Sequence, residues 1–538
     1  MSSRSRARTP AWLLLPLLLT FWWLSLRHLD RAPPAYEDEP WQASTGWKLA
    51  SQGIFGSDMF AGLNGMEARY FGYPPLHPLL LAGTYRLVGL GLWQTRLEPV
   101  FMGLLGLALT FAWGRRLFGP GVGLLAAALL IGVRTSGLTP YQLTGIVWMD
   151  FARIGRYDMV VAAFGLAALH AWRTGRRLDA RSVWWFAGSG LLAALAGLAH
   201  LYGVFWLPAL AALTVAEAGR GQVLQARWPV LLMALGAGFA LAWLPYVLYV
   251  AGGWPYFVAQ TADYADRFQL VDPAWYWRNL VQEFRRYGPG LGPDIVWAAL
   301  RPGFWLAALG VPAALAALAR SAMQRSDRAA LHLALPALLF PILFGLLIHS
   351  KVAHYLVAYF PLFAVAAAWG LARLWRRRGS AFPRTLLHAA VLLGCLAVFV
   401  EGAGQVWRRE QLARALTPFD EYIGHVRSAL PAGSPATRVL GLHHYWLGFT
   451  DRDYRNWLAP IVLAAAAPSQ PLAGVLDSLA PEVVLVDDNM RDYFEADSEP
   501  GALGSQAAAW LAERFFLVAR IEDETYGAME IYLPRRPP

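Results

Sequence analysis

Few side chains in this sequence can do chemistry, and those beside long apolar runs stand out. Glu37, Asp38 and Glu39 follow the first such run, Asp150 and Asp158 flank the start of another, and His200 separates two more. His349, Lys351 and His354 gather ahead of a further one. Carboxylates take protons from hydroxyls, and cations or imidazoles hold anions and steady developing negative charge. A charge at mid-membrane costs roughly 2.5–3.5 kcal/mol on insertion scales, so each of these groups needs a partner or a task. Each also has a plain structural role open to it. Asp38 and Glu39 suit a solvated loop, Asp158 a pair with Arg156 or Arg153, His200 a turn, and Lys351 a snorkelling position. His349 and His354 are not an i, i+4 pair, so their spacing does not support a helical zinc motif.

The elements that must position these groups follow from hydropathy. Of 538 residues, 57% are hydrophobic and 15% charged, with 25 tryptophans, which is too apolar for an ordinary water-soluble domain. Runs long enough to cross a hydrocarbon core recur near residues 11–26, 97–114, 120–133, 159–172, 183–199, 202–215, 229–250, 294–318, 330–348, 352–372 and 384–402, which predicts about eleven spans. The basic start Arg4 to Arg8 and the turns at Arg115-Arg116, Arg173 to Arg181, Arg220 and Arg227, Arg320 and Arg325, and Arg373 to Arg378 then fall on one side, as the positive-inside rule requires. Orientation explains the net charge of +10 better than nucleic acid does. The acids, histidines and lysine collect on the opposite side. Residues 1–26 imitate a secretory signal, but they lack a clear small-x-small cleavage site and carry Trp22-Trp23 near their end, as an uncleaved first span would. The single cysteine, Cys395, lies in an apolar run and excludes an internal disulfide.

The expected fold class is an α-helical polytopic membrane protein with a soluble C-terminal α/β domain. Residues 1–402 form the membrane domain, with a large first outer loop at about 27–96, and residues 403–538 the outer domain. In the tail, apolar runs shrink to strand length, as in Val483–Val486 and Phe515–Val518, and alternate with helical patterns near Gln411–Leu430 and Ala507–Glu513. Ile521–Leu533 reads as a closing hairpin. His443-His444 and Asp487-Asp488 invite a metal reading but fit a surface turn after a strand better. Aromatic richness over residues 254–277 fits an interfacial belt better than an acceptor groove.

Four segments in order, Tyr36-Glu-Asp-Glu-Pro-Trp41, Trp47-Lys-Leu-Ala-Ser-Gln-Gly53, Tyr73-Pro-Pro-Leu-His-Pro78 and Gly114-Arg-Arg-Leu-Phe-Gly119, resemble the first-loop pattern of bacterial C-type glycosyltransferases. The similarity is to the protein mannosyltransferase and lipid A aminoarabinose transferase superfamily. Arg156-Tyr-Asp158, Gly197-Leu-Ala-His-Leu-Tyr-Gly203 and Ser350-Lys-Val-Ala-His-Tyr-Leu-Val-Ala-Tyr-Phe-Pro361 extend it across roughly residues 10–400. The resemblance implies inverting transfer of a sugar from a polyprenyl-phosphate donor to a hydroxyl of a lipid, glycan or protein at the outer face of the inner membrane. It implies that Asp38 acts at the reaction centre with Glu39 beside it, and that Asp158 is a second acid positioning substrate or metal. Arg156, Lys351, His200, His354 and Tyr355 would hold the donor phosphate, alone or with a divalent metal ion. The chemistry explains the residue type as well, because an acceptor hydroxyl needs a carboxylate to take its proton as the sugar carbon becomes oxocarbenium-like. Gly72-Tyr73 stand where aminoarabinose transferases usually carry Glu-Lys, and His200-Leu201 where they often carry Thr-Lys, so that particular substrate is not implied. His77 stands where an aromatic is commoner. The alternatives are a lipid or solute transporter or flippase, which tends to show inverted halves not visible here, and a non-catalytic scaffold of the same fold.

Overall fold

The computed structural model describes residues 11–176, 181–220, 227–287, 299–325, 327–376, 384–430, 437–466, 471–497, 499 and 501–535. Arg4, Arg6, Arg8, Arg177, Arg377 and Arg378, part of the orientation argument, lie outside the described residues, as do the first residues of the run at 294–318. The chain divides into two compact units, Met1–Arg27, Pro99–Tyr249 and Asp263–Gln411 forming one, and His28–Glu98, Val250–Ala262 and Leu412–Pro538 the other.

The first unit is helical. Among the described residues, seven helical segments are long and apolar enough to cross a membrane: Leu92–Phe118, Ser182–Ala199, Leu201–Ala218, Trp228–Ala251, Pro302–Gln324, Arg328–Leu347 and the apolar part of Arg384–Ser428. The chain is a multi-pass membrane protein. Leu14–Leu26 and Pro120–Gly132 are apolar helices of 13 residues, and at 1.5 Å per residue each reaches only about 20 Å of a roughly 30 Å hydrocarbon core. Every predicted run carries a helix, while length and composition qualify seven segments rather than eleven. Small residues let these helices pack closely. A Cβ on Gly190 would fall 1.9 Å from the carbonyl oxygen of Leu235, and one on Gly238 the same distance from that of Ala187, so Ser182–Ala199 and Trp228–Ala251 cross backbone to backbone.

The second unit joins residues 28–98 and 250–262 to the C-terminal tail. Strands β1 (Arg438–Gly441), β2 (Asp453–Asn456), β3 (Val483–Asp487), β4 (Phe515–Asp523) and β5 (Gly527–Pro534) form one sheet in the order β2-β1-β3-β5-β4. The β1 strand pairs in parallel with β2 and β3, and the closing hairpin β4–β5 adds antiparallel to β3. Every residue of β3 is buried, which matches the unbroken apolar run Val483–Val486. Ala43, Met59, Phe60 and Tyr70 of the loop share one hydrophobic core with Phe419, Trp446, Val484 and Ile531 of the tail. The His-His and Asp-Asp pairs are not a surface turn. His443 is buried against Trp41, and the buried Asp487 caps helix Asp488–Ala496 while accepting from Tyr445.

Candidate functional site

In the helical unit the predicted residues converge on the start of helix Asp158–Gly175. Asp158 occupies its first turn, where the helix dipole favours a carboxylate, and is 1% exposed. Its Oδ2 accepts from Arg156 Nε at 2.9 Å and its Oδ1 from the Tyr202 hydroxyl at 2.6 Å. Arg153 donates instead to the carbonyls of Leu24, Ser25 and Arg27, closing the end of helix Leu14–Leu26. Tyr202 reaches Asp158 because residues 201–205 form a tight 3-10 turn. Glycine is required in that turn, since a Cβ at Gly203 would lie 2.1 Å from the Ala196 carbonyl oxygen.

Around this pair the rings form a continuous path. The His200 ring stacks on Tyr157 at 4.2 Å and lies 4.4 Å from that of Tyr202, Tyr202 lies 5.0 Å from Tyr355, and Tyr355 lies 4.5 Å from His354. The Arg286 guanidinium sits 5.6 Å from the Tyr355 ring. It is clamped by Glu283, with Nε at 2.7 Å and Nη2 at 3.1 Å, and Lys351 reaches the same carboxylate at 3.0 Å. Five sequence-predicted residues, Arg156, Asp158, His200, His354 and Tyr355, therefore share one cluster, and Lys351 joins it through Glu283 and Arg286. His349 is exposed and outside it.

Lys351 has little left to offer a ligand. Besides Glu283, its ammonium donates to the carbonyls of Ile348 at 2.7 Å, Gly345 at 3.1 Å and Phe344 at 3.4 Å. Three N–H donors thus meet four acceptors. Lys351 closes the C-terminal end of helix Arg328–Leu347, a position that favours a cation. Burial lowers its pKa, and Glu283 opposes that. Burial, with Arg156 adding repulsion, pulls His200 down to about 3, so its imidazole is neutral. In the segment before the helix, the buried Asp150 accepts from the Thr144 hydroxyl and the amides of Thr144 and Gly145, yet burial pushes it up to about 6. The cluster sets three cations, Arg156, Arg286 and Lys351, against two carboxylates, Asp158 and Glu283. The surplus positive charge and neutral ring donors suit an anionic group.

In the second unit Asp38 and Glu39 open helix Asp38–Gln52. Asp38 is half-buried. Glu39 is fully buried, and Arg96 grips both its oxygens at 2.7 Å while the Tyr36 amide donates to Oε2, also at 2.7 Å. Arg96 also holds the carbonyls of Leu29 and Pro33 at 2.8 Å each, and of Pro34 at 3.2 Å. Glu39 is thereby committed to fixing the turn that presents Asp38. His77 is buried, its Nδ1 lying 3.2 Å from Glu98 Oε2. Among the described residues, no three His, Cys, Asp or Glu side chains come together as a metal site.

Sequence reasoning missed Tyr202, Glu283, Arg286 and Arg96. Tyr202 lay inside a quoted segment, two residues past His200. Glu283 and Arg286 carried the i, i+3 spacing of a helical ion pair, and Arg96 stood as a lone charge at the head of an apolar run.

No family model matches the chain, and no curated protein matches it in sequence. Solved structures do match in fold. ArnT from Cupriavidus metallidurans, bound to undecaprenyl phosphate, is 17% identical over 97% of both chains with a TM-score of 0.61. The Archaeoglobus fulgidus oligosaccharyltransferase in its apo form is 14% identical over 95% of this chain and 73% of its own, with a TM-score of 0.59. The archaeal oligosaccharyltransferase AglB from Archaeoglobus fulgidus, in complex with an inhibitory peptide and a dolichol-phosphate, gives 0.55 at 14% identity over 96% of this chain and 74% of its own. The fold that the first-loop segments led us to expect is the one found: the chain has the C-type glycosyltransferase fold that ArnT and AglB display.

Proposed function

We propose that this protein is a membrane glycosyltransferase that moves a sugar from a polyprenyl-phosphate donor to an acceptor hydroxyl at the extracytoplasmic face of the inner membrane. The observation that carries the reading is the buried cluster of Arg156, Asp158, Tyr202, His200, Tyr355 and Arg286, with its surplus cation beside neutral ring donors. Such a cluster suits a phosphate. ArnT bound to undecaprenyl phosphate and AglB with a dolichol-phosphate share the fold and support a lipid-phosphate ligand.

In the proposed reaction the acceptor oxygen forms a bond to the anomeric carbon as the bond from that carbon to the phosphate oxygen breaks. Asp38 takes the hydroxyl proton, and the polyprenyl phosphate leaves with the bonding electron pair. Inversion follows from a single displacement. Arg156, aimed by Asp158, holds the phosphate with His200, His354 and Tyr355, and Lys351 acts through Glu283 and Arg286 as a positioning residue. Acceptor chemistry is a hydroxyl of lipid, glycan or protein.

Membranes carrying the full-length protein, given a labelled polyprenyl-phosphate sugar, test this. Asp38→Asn is expected to lower transfer about 10²–10⁴-fold, the usual worth of a general base, with the protein still folded. Full activity in that variant removes Asp38 as the base. Transport by purified protein in liposomes without any transfer product would replace the enzyme with a transporter.

A further inference from the structure

In the helical unit a cleft of about 740 Å³ runs between the helical segment 302–325 and helix Phe360–Arg376. That lies within the range of about 300–1,000 Å³ typical of small-ligand sites. Gly310, Ala313, Ala314 and Ala317 form one wall, and these small side chains leave the space open. One end is polar, lined by Ser321, Asp327, Arg373 and Arg376. The Asp327 carboxylate is already used, accepting from the amides of Ala329 and Ala330 and from the Ser321 hydroxyl as the cap of helix Arg328–Leu347. Arg373 lies 5.2 Å over the Trp369 ring, and neither it nor Arg376 has a carboxylate partner among the described residues. Both arginines are exposed.

These observations constrain the occupant. Beside a membrane-spanning segment the surrounding solvent is acyl chain, and the wall of Gly310, Ala313, Ala314 and Ala317 offers water no polar side chain. Hydrocarbon suits that wall, and a headgroup at the polar end would decide which lipid stays. Two exposed arginines in the last turn of helix Phe360–Arg376 attract a phosphate and repel a cationic headgroup. We propose that this cleft is a binding site for an anionic phospholipid, one acyl chain lying along the Gly310–Ala317 wall and the phosphate resting on Arg373 and Arg376. The site is separate from the cluster around Asp158 and does not depend on the proposed transfer reaction.

The test is native mass spectrometry of the purified full-length protein in detergent, offered phosphatidylglycerol or phosphatidylcholine with identical chains. The protein is expected to retain phosphatidylglycerol about tenfold more strongly. R373Q/R376Q should abolish the preference and R373K/R376K should keep it, while Ala313→Trp, at an exposed wall position, should lower retention of both lipids. Ala317→Leu serves the same purpose if the tryptophan variant aggregates. Equal retention of the two lipids, or a preference undiminished in R373Q/R376Q, would overturn the proposal. So would displacement of phosphatidylglycerol by undecaprenyl phosphate at lower concentration, which would make the occupant the carrier lipid. None of these readings uses transfer activity, so the site and the enzymatic proposal fail independently.

Discussion

Asp158 shows how one buried carboxylate organises its neighbours. It fixes the Arg156 guanidinium from one side and the Tyr202 hydroxyl from the other, so removing its charge takes the carboxylate partner from a buried cation. Breaking a buried pair costs about 3–5 kcal/mol, and Asp158→Asn should therefore lower the thermal unfolding midpoint as well as transfer. Arg156→Met in the Asp158→Asn background should recover part of the stability but none of the transfer; recovery of both would make the pair purely structural. His200 gives a pH signature. Its folded-state pKa of about 3 lies below the ordinary imidazole value of 6.5, so the unfolded chain binds the extra proton between those limits. The stabilisation is present above pH 6.5 and fades as pH falls toward 3. His200→Gln should lose less thermal stability than the parent between pH 6.5 and pH 4, measured by differential scanning fluorimetry. The Arg156–Asp158 pair was legible from two charges, two residues apart, at the head of an apolar run. The Glu39–Arg96 pair was not, because nothing local links residues 57 positions apart.

Among elements, hydropathy located the helices and missed their ends. Leu92–Phe118 starts before the apolar run because Trp93, Gln94 and Thr95 continue the helix at no hydrophobic gain, and the last helix runs on from its apolar part to Ala415. The turn before helix Asp38–Gln52 depends on Arg96, which ties Glu39 to three carbonyls. Arg96→Met should take from the buried Glu39 the guanidinium that grips both its oxygens, destabilise the second unit by about 3–5 kcal/mol and lower transfer without any contact between Arg96 and substrate. Hydrogen exchange of residues 28–40 in the variant, compared with the parent, reads that loosening directly. At the end of helix Arg328–Leu347, Lys351→Met should lower stability and raise the donor KM less than tenfold, because the ammonium serves three carbonyls and Glu283. A larger KM effect with unchanged stability would make Lys351 a direct phosphate ligand.

At the scale of the molecule, the second unit draws on three stretches of chain, His28–Glu98, Val250–Ala262 and Leu412–Pro538. Composition marked the tail as a separate domain beginning near residue 403, whereas the compact unit also takes in the first loop. That partnership was invisible because apolar residues in a loop look alike whether they meet each other or a distant segment. Ending the chain at Gln411 should strip Ala43, Met59, Phe60 and Tyr70 of most of their core and make residues 28–98 protease-sensitive. Protection of the loop in the truncated protein would show that it folds alone.

The shared core also imposes a timetable on biosynthesis. The ribosome delivers the loop early and its complementary strands last, so the loop's greasy side chains wait, unsheltered, while all the intervening helices are threaded into the lipid. A holdase stationed where that loop emerges would gain most from this delay, and slow elongation through the middle of the message would lengthen the dangerous interval.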